Sequence, residues 1–455
     1  MRVSCSKALR KFVIFTILFI ICRIKIHEVN MNIVEQAKEL EHEQKIQEAI
    51  KILEDFVQEN KKERIGAHRL LSKLYVKAGD TNKAIKILEE AIKNNPDNLW
   101  FYLILGDLYY FDLNKTESAV MIYEKGLSFF KRPERSTMSP YRYFLKRLSN
   151  IYYNMGNREK ALNFFEYFIA LEPSDFYGSD FIKFADLLLY FGFMEKAKDI
   201  IYLGLRTHPG DNELFNFANE KFKDEHFTLG EKRKKGKING VEKILIKTPI
   251  LKEGDDIYKI TDELTKDIRK KGDIITISSC VAAICEGRVI TVDTIIPGPL
   301  AKVLSLFVSH KNVPFGGAAP LANPYAMEIA IKETGVPRII LAWIAGGIGK
   351  LFKKSGWFYM VAGPQSAIID DPPAAIPPYD YAIIPGPKDS FEMSKKIQKI
   401  TGMRAAVIDA NDAGIAWAIG YTEGIDKEKL EIALSDNPAG NEDQQTPIII
   451  VRGLS

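Results

Sequence analysis

Two stretches place carboxylates directly after apolar runs. AVIDANDAG, Ala406 to Gly414, sets Asp409, Asn411 and Asp412 behind three apolar residues, and AGPQSAIIDDPPAAIPPYDYAIIPGP sets Asp370 and Asp371 ahead of Pro372 and Pro373. A carboxylate at the C-terminal end of a strand lies on the edge where α/β sheets collect ligands. Two such sites are what a hard divalent metal bridging phosphates needs. The same residues also make turns, because Asn and Asp bond the nearby backbone and proline stiffens a loop. On the residues alone both readings stand: Asp409 as a magnesium ligand with Asn411 and Asp412 forming the turn, or turns throughout. A third stretch, AGGIGK from Ala345 to Lys350, has Ile344 where a phosphate-binding loop needs its first glycine and Leu351 where it needs a hydroxyl. It reads as a flexible glycine segment, with Lys350 as a candidate anion contact.

These residues need a scaffold, and the second half of the chain supplies a pattern for one. Short β-rich runs (KILIK, DIITISS, RVITV, RIILAWIA, WFYMVA, YDYAII, AAVID, PIIIV) alternate with helical patterns such as IYKITDELTKDIRK, AMEIAIKET and SFEMSKKIQKI. Such alternation predicts an α/β or α+β domain over residues 241–455, large enough to hold an active site. Before it, FTLGEKRKKGKING, Phe227 to Gly240, has five basic residues and three glycines. That composition predicts a solvated basic linker over 227–240, with a polybasic membrane-surface patch as the competing reading.

The bulk numbers narrow the chemistry. At 455 residues, 46% hydrophobic and 27% charged, the chain is folded protein of two or three domains. With 63 basic and 59 acidic residues no field argues for nucleic acid, which is excluded as the default partner. Cys5, Cys22, Cys280 and Cys285 lack C-x-x-C spacing, and only His310 lies in the second half. A histidine- or cysteine-built zinc site is therefore not expected, and any metal there should be oxygen-bound. The absence of a disulfide pattern fits a cytoplasmic body. Residues 1–30 hold an apolar run from Phe12 to Cys22, shorter than the roughly 20 residues of a spanning helix. An uncleaved anchor, which would associate the chain with a membrane through residues 12–22, a signal segment, and untranslated sequence ahead of a start at Met31 all remain open.

The first half repeats. Ala49, Ala84, Ala119, Ala161 and Ala197 occupy similar frames (QEAIKILEDF, NKAIKILEEA, ESAVMIYEKG, EKALNFFEYF, EKAKDIIYLG) at intervals of 35, 35, 42 and 36 residues. Small residues about a dozen positions earlier (Ala37, Ser72, Gly106, Ser149, Ala185) let paired helices approach. Tyr75, Tyr109 and Tyr152 fill the gap, and Pro96, Pro173 and Pro209 stop the second helix. The pattern resembles the tetratricopeptide repeat, with about five copies over residues 32–210 and a cap helix in DNELFNFANEKFKDE extending the array to 224, in a repeat domain of 31–226. It implies an all-α helical solenoid that binds a protein or peptide in its groove. The 42-residue interval carries KRPERSTMSP, 131–140, expected as a surface loop.

In the second half the order of motifs is itself distinctive: LIKTPILKEGDDI, GDIITISSCVAAICEGRVI, AGPQSAIIDD, YAIIPGPKDS, AAVIDANDAG and TPIIIVRG. It resembles the coenzyme F420-0:L-glutamate ligase family over nearly all of 241–455. The resemblance implies a dimeric α/β fold that binds GTP, or ATP, with Mg²⁺ or Mn²⁺ and joins an acid to an amino acid through an amide bond. By position it puts the metal on Asp370 and Asp409 and the nucleotide on Thr248, Pro249, Ile250 and Leu251, with Lys350 near phosphate. Glu286 and Arg288 fall in the catalytic set. The chain departs from the pattern at Ser279, Cys280 and Ala283, where a lysine and a serine are usual, and at Ala410, Asn411 and Asp412. Two classes of function follow: a nucleotide- and metal-dependent ligase with a repeat module, or a ligase-fold binding protein without turnover.

Overall fold

The computed structural model describes residues 33–41, 43–59, 65–130, 139–171, 173–232, 236, 238–308, 320–351, 357–370, 372, 375–412, 414–440 and 443–454. Residues 1–30, most of the 131–140 insertion and Asp371 lie outside them. The chain divides into two compact units, Met1–Ile122 and Tyr123–Ser455.

The first unit is helical: α1 (33–41), α2 (Ile46–Glu59), α3 (Ile65–Lys77), α4 (Thr81–Asn94), α5 (Leu99–Asp107) and the start of α6 (Thr116–Leu127). Asp80 caps α4 by accepting from the Lys83 N–H, and Asn98 caps α5 by accepting from the Trp100 N–H. The repeat-frame alanines Ala49, Ala84 and Ala119 are wholly buried, as is Ala37. Tyr75 donates to Glu54 across the α2/α3 pair.

The second unit opens with the remaining repeat helices: α7 (Tyr141–Asn154), α8 (Arg158–Leu171), α9 (Gly178–Tyr190), α10 (Met194–Thr207) and the expected cap helix α11 (Asn212–Lys221). Ala161, Ala197, Ser149 and Ala185 are buried as the repeat pattern requires. An aromatic seam of Phe165, Phe168, Phe176, Phe181 and Phe184 fills the interior. Ser139 and Pro140, which end the insertion, are buried rather than exposed.

The rest of the unit is an α/β domain. In chain order it comprises β1 (Glu242–Ile246), α12 (Ile257–Thr265), β2 (Ile274–Ser278), α13 (Ser279–Cys285), β3 (Ile290–Thr291), α14 (Pro299–Ser305), α15 (Pro324–Thr334), α16 (Val336–Leu351), α17 (Trp357–Ala362), α18 (Pro364–Ala367), β4 (Ala382–Ile383), α19 (Ser390–Thr401), β5 (Arg404–Asn411), β6 (Ile415–Tyr421), α20 (Lys427–Ala433) and β7 (Ile448–Arg452). Five strands form one sheet in the order β1-β7-β2-β5-β6, with β2 and β5 parallel and the other pairs antiparallel. β3 and β4 make a separate ribbon.

Both faces of the large sheet are covered, so its central strands are apolar on successive residues rather than on alternate ones. Ile275, Ile277, Ala405, Val407, Ile448 and Ile450 pack on the face that carries α12, α13 and α19. Ile274, Ala406, Ile408, Ile449 and Val451 pack on the other, with Leu430 and Leu434. Two expected strands are helices instead: RIILAWIA lies in α16, and WFYMVA is α17. A short apolar run looks alike in a buried strand and in a packed helix, which is why periodicity misassigned both. IAWAIGY, by contrast, forms β6 and was missing from the expected strands.

The basic segment 227–240 is not a solvated linker along the part described. Phe227 is buried against Tyr202 and Phe222, Lys232 pairs with Asp412 at 3.3 Å, and Ile238 packs on the sheet. The second half of the repeat array is held to the sheet domain by buried charge. Arg147 on α7 grips Asp380 through two hydrogen bonds of 2.8 Å, with both side chains at most 2% exposed. Beside it Arg142 pairs with Asp175 at 2.9 Å, and the Lys146 ammonium sits 3.4 Å above the Tyr177 ring. The Tyr177 hydroxyl donates to the Ala375 carbonyl, and the Tyr143 and Tyr381 rings lie 5.3 Å apart.

Candidate active site

Sheet register collects the candidate residues on one edge. Ile246, Ile448, Ile277 and Val407 stand in one row across β1, β7, β2 and β5. Two positions beyond that row come Thr248, Thr446, Ser279 and Asp409. Asp409 is not the last residue of its strand, since β5 runs on to Asn411 before the Asp412–Gly414 turn leads into β6. Its parallel neighbour β2 has already ended, and its last residue, Ser278, is level with Ile408. Asp409 thus lies just past the C-terminal end of the parallel pair, on the same face as Ala405 and Val407, where α13 begins.

Ser279, the first residue of α13, donates its hydroxyl to Asp409 Oδ1 at 2.9 Å. The next residue, Cys280, feels the charges of both Asp370 and Asp409. Asp370 is held there by reciprocal main-chain bonds of 2.9 Å with Ile384. The two predicted metal carboxylates, 39 positions apart in sequence, thus both lie near enough to Cys280 to act on its thiol. Burial pushes the Asp409 carboxyl up to about 6, and the Ser279 hydroxyl opposes that rise only in part. Burial first, then the charge and hydrogen bond of Asp370 and the charge of Asp409, push the Cys280 thiol well up, so it stays neutral. Cys280, where the resemblance leads one to expect a lysine, is thus an uncharged group acted on by two acids. Ala283, the other departure, is wholly buried with Tyr379 and Ile384 in an apolar cluster, where a hydroxyl would need a partner.

Glu286 and Arg288 are brought near this edge but point into a loop. Gly287, at φ +72, ends α13 in the left-handed region and turns the chain. Glu286 then accepts from the Lys388 N–H at 2.8 Å, while Arg288 donates to the Gly386 carbonyl at 2.7 Å and pairs with Glu333 at 3.0 Å. The EGR motif therefore clasps the IIPGPKDS loop. Thr248 is buried, with its N–H on the Gln445 carbonyl at 2.8 Å; Leu251 belongs to the core, Pro249 is exposed and Ile250 half-buried. The Thr248–Leu251 turn thus reaches the same edge, mainly through Thr248.

AGGIGK is not a flexible segment. It lies inside α16, and a Cβ on Gly346 would stand 3.1 Å from the Cβ of Phe358, so its small residues let α17 pack closely. Lys350 is accordingly on a helix rather than in a phosphate loop.

Sequence reasoning missed two ion pairs. Arg452 of IVRG is bidentate to Asp273 of the GDI strand at 3.0 and 2.9 Å, and it holds that carboxyl low against the opposing effect of burial. Arg147–Asp380 was the other; its one signal was the crowding of Arg142, Lys146 and Arg147 on a helix rich in tyrosine and other apolar residues.

The donor set fits a magnesium-type ion better than a cage-bound one. Among the described residues no three His, Cys, Asp or Glu side chains converge as ligands of one metal. Two carboxylates at a sheet edge suffice for a hard cation that completes its shell with water and phosphate oxygens.

Comparison with known proteins agrees with the order of the two halves. Residues 40–104 and 147–175 match tetratricopeptide repeat models, and residues 245–341 match the model described as F420-0:Gamma-glutamyl ligase. That last span contains Thr248, Ser279, Cys280, Glu286 and Arg288; Asp370 and Asp409 lie beyond it. No curated protein matches the chain. Among solved structures, one described as the crystal structure of MamA protein aligns at 16% identity and TM-score 0.30, over 44% of this chain and 98% of that one. Another, described as a functional characterization of Pseudomonas aeruginosa pilF, aligns at 15% identity and TM-score 0.33, over 43% and 86%. The chain carries tetratricopeptide repeats followed by an F420-0:gamma-glutamyl ligase domain.

Proposed function

We propose that this repeat-bearing ligase-like chain is a nucleotide- and divalent-metal-dependent acid–amino-acid ligase, with GTP or ATP as co-substrate. The observation that supports the reading is that Asp409 lies just past the C-terminal end of the parallel strands and that it and Asp370 both act on Cys280. Mg²⁺ or Mn²⁺ bound there would screen phosphate charge while phosphoryl transfer activates one carboxylic acid for attack by the amine of the other substrate. Asp409 and Asp370 would hold the ion, and Ser279 orients the Asp409 carboxylate. Thr248 contributes to the nucleotide face of the edge. Glu286 and Arg288 fix the 386–388 loop against α13 and so act as positioning residues. Recruitment of a protein or peptide partner falls to the tetratricopeptide repeats.

Cys280 favours a second reading, a ligand-binding domain without turnover. A neutral thiol replaces a charge-assisted phosphate contact, the kind of bond that contributes about 1.5–3 kcal/mol. A thermal-shift screen of the full chain with GTP or ATP, with and without Mg²⁺ or Mn²⁺, tests the first reading; release of phosphate that requires both F420-0 and glutamate separates it from the second. Stabilisation by nucleotide only with metal, plus turnover, supports the ligase. Metal-dependent stabilisation without turnover supports the binding protein, and no shift under any condition overturns both.

A further inference from the structure

Two helices of the repeat array reach the segments that build the candidate site. On α7, Arg147 holds Asp380 through its two hydrogen bonds, and Tyr143 lies against Tyr381. At the start of α9, the Tyr177 hydroxyl donates to the Ala375 carbonyl, and the Ser179 hydroxyl donates to the Asp443 carboxylate. Each of these contacts leaves the repeats for the sheet domain. Burying the Arg147–Asp380 pair costs desolvation that an apolar contact would avoid. In return a bidentate pair fixes both the position and the angle of the segment it grips.

The gripped segments lead directly to the site. Asp380 and Tyr381 run into β4, and the residue after that strand, Ile384, exchanges two main-chain bonds of 2.9 Å with Asp370. The Arg147 pair therefore stands four positions from the bridge that holds Asp370. On the other side, Asp443 precedes Gln445 by two positions, and the Gln445 carbonyl accepts from the Thr248 N–H at 2.8 Å. Tyr379, also in the gripped segment, accepts at 3.3 Å from the N–H of Glu253, just past the Thr248–Leu251 turn. The Asp370 side of the edge is thus tied to α7, and the Thr248 side to α9. Groups that hold ligands from behind set metal affinity by about 10- to 100-fold in other sites.

We propose that Arg147 and Ser179 are positioning residues for the candidate site: Arg147 sets Asp370 through the 380–384 strand, and Ser179 sets Thr248 through the 443–445 segment. This rests on the ligase reading, which takes Asp370 as a metal ligand and Thr248 as part of the nucleotide face. It makes α7 and α9, helices of the repeat array, part of the structure on which metal and nucleotide binding depend.

Calorimetry of the full chain with GTP and with ATP, over a range of Mg²⁺ concentrations, reads two quantities. One is nucleotide affinity at saturating Mg²⁺, and the other is the Mg²⁺ concentration at half-maximal binding. Arg147→Met with Asp380→Leu keeps the interface filled but removes the directional pair. It should raise the Mg²⁺ requirement by roughly tenfold or more and leave nucleotide affinity at saturating Mg²⁺ nearly unchanged. Ser179→Ala should do the reverse, weakening nucleotide by about three- to tenfold, and Ser179→Thr, which keeps the hydroxyl, should restore it. Asp273→Asn disturbs the Arg452 pair at the other end of the sheet, so it should lower the melting temperature and move neither quantity. Both quantities falling in step with melting temperature across these variants would make the contacts merely structural and overturn the proposal. Variants that bind as the wild type does would overturn it equally. A wild type that binds no nucleotide with Mg²⁺ overturns the ligase reading itself, and the positioning role with it.

Discussion

At the scale of single residues, Asp409 holds the most information. Its carboxyl is raised to about 6, so between the ordinary carboxylate range and that value the folded protein binds a proton that the unfolded chain releases. Stability therefore rises as pH falls through about 6, and at neutral pH the ionised side chain costs stability. Asp409→Asn, which still accepts from Ser279, should raise the unfolding free energy of the metal-free chain at neutral pH by roughly 1–3 kcal/mol. The gain should vanish in mild acid, and denaturant melts at the two pH values check both statements. Asp370 and Asp409 were legible as candidates because each ends an apolar run. That both act on Cys280 was not legible, because it depends on how the Asp370–Ile384 bridge folds the loop back over α13. The Arg288 contacts were equally hidden: nothing in EGR says that its arginine reaches the Gly386 carbonyl, 98 positions away.

At the scale of elements, the buried pair between α7 and the 375–381 segment governs how the repeats meet the sheet. Removing one partner leaves a charge enclosed without its counter-ion, at a cost of about 3–5 kcal/mol. Arg147→Ala should lower the stability of the second unit by that amount in urea unfolding, whereas the double variant Arg147→Met with Asp380→Leu should cost much less. Equal losses in the two would mean that packing, and not charge, holds the interface. The strands β1, β2, β5 and β7 were readable from their apolar runs, and the repeat helices from their alanine frame. α16 and α17 were not, because an apolar stretch that packs on a neighbouring helix has the composition of a strand. In α16 the glycines that suggested flexibility serve close packing at Phe358.

At the scale of the whole molecule, the compact units divide at Ile122/Tyr123, within α6, whereas composition pointed to a boundary at the basic segment 227–240. The shift follows from α7 to α11 packing on the sheet domain through Arg147–Asp380, Tyr177–Ala375 and Tyr143–Tyr381. None of those contacts is local in sequence, so no linker-like composition could announce them. A chain begun at Ser139 should keep one cooperative calorimetric transition for the second unit. A chain begun at Val241 uncovers Asp380 and Tyr381 and should melt at lower temperature or aggregate. If both melt alike, the repeats are independent of the domain.

The central claim, a metal-dependent nucleotide site built on Asp409, is tested most directly by isothermal calorimetry of GTP or ATP binding to the full chain. It should be run with and without Mg²⁺, for the wild type and for Asp409→Asn, at a pH well above the raised carboxyl value of about 6. The account predicts binding by the wild type that requires Mg²⁺, that weakens as pH falls through that value, and that Asp409→Asn abolishes. Binding that is indifferent to Mg²⁺, or that survives Asp409→Asn unchanged, would contradict it.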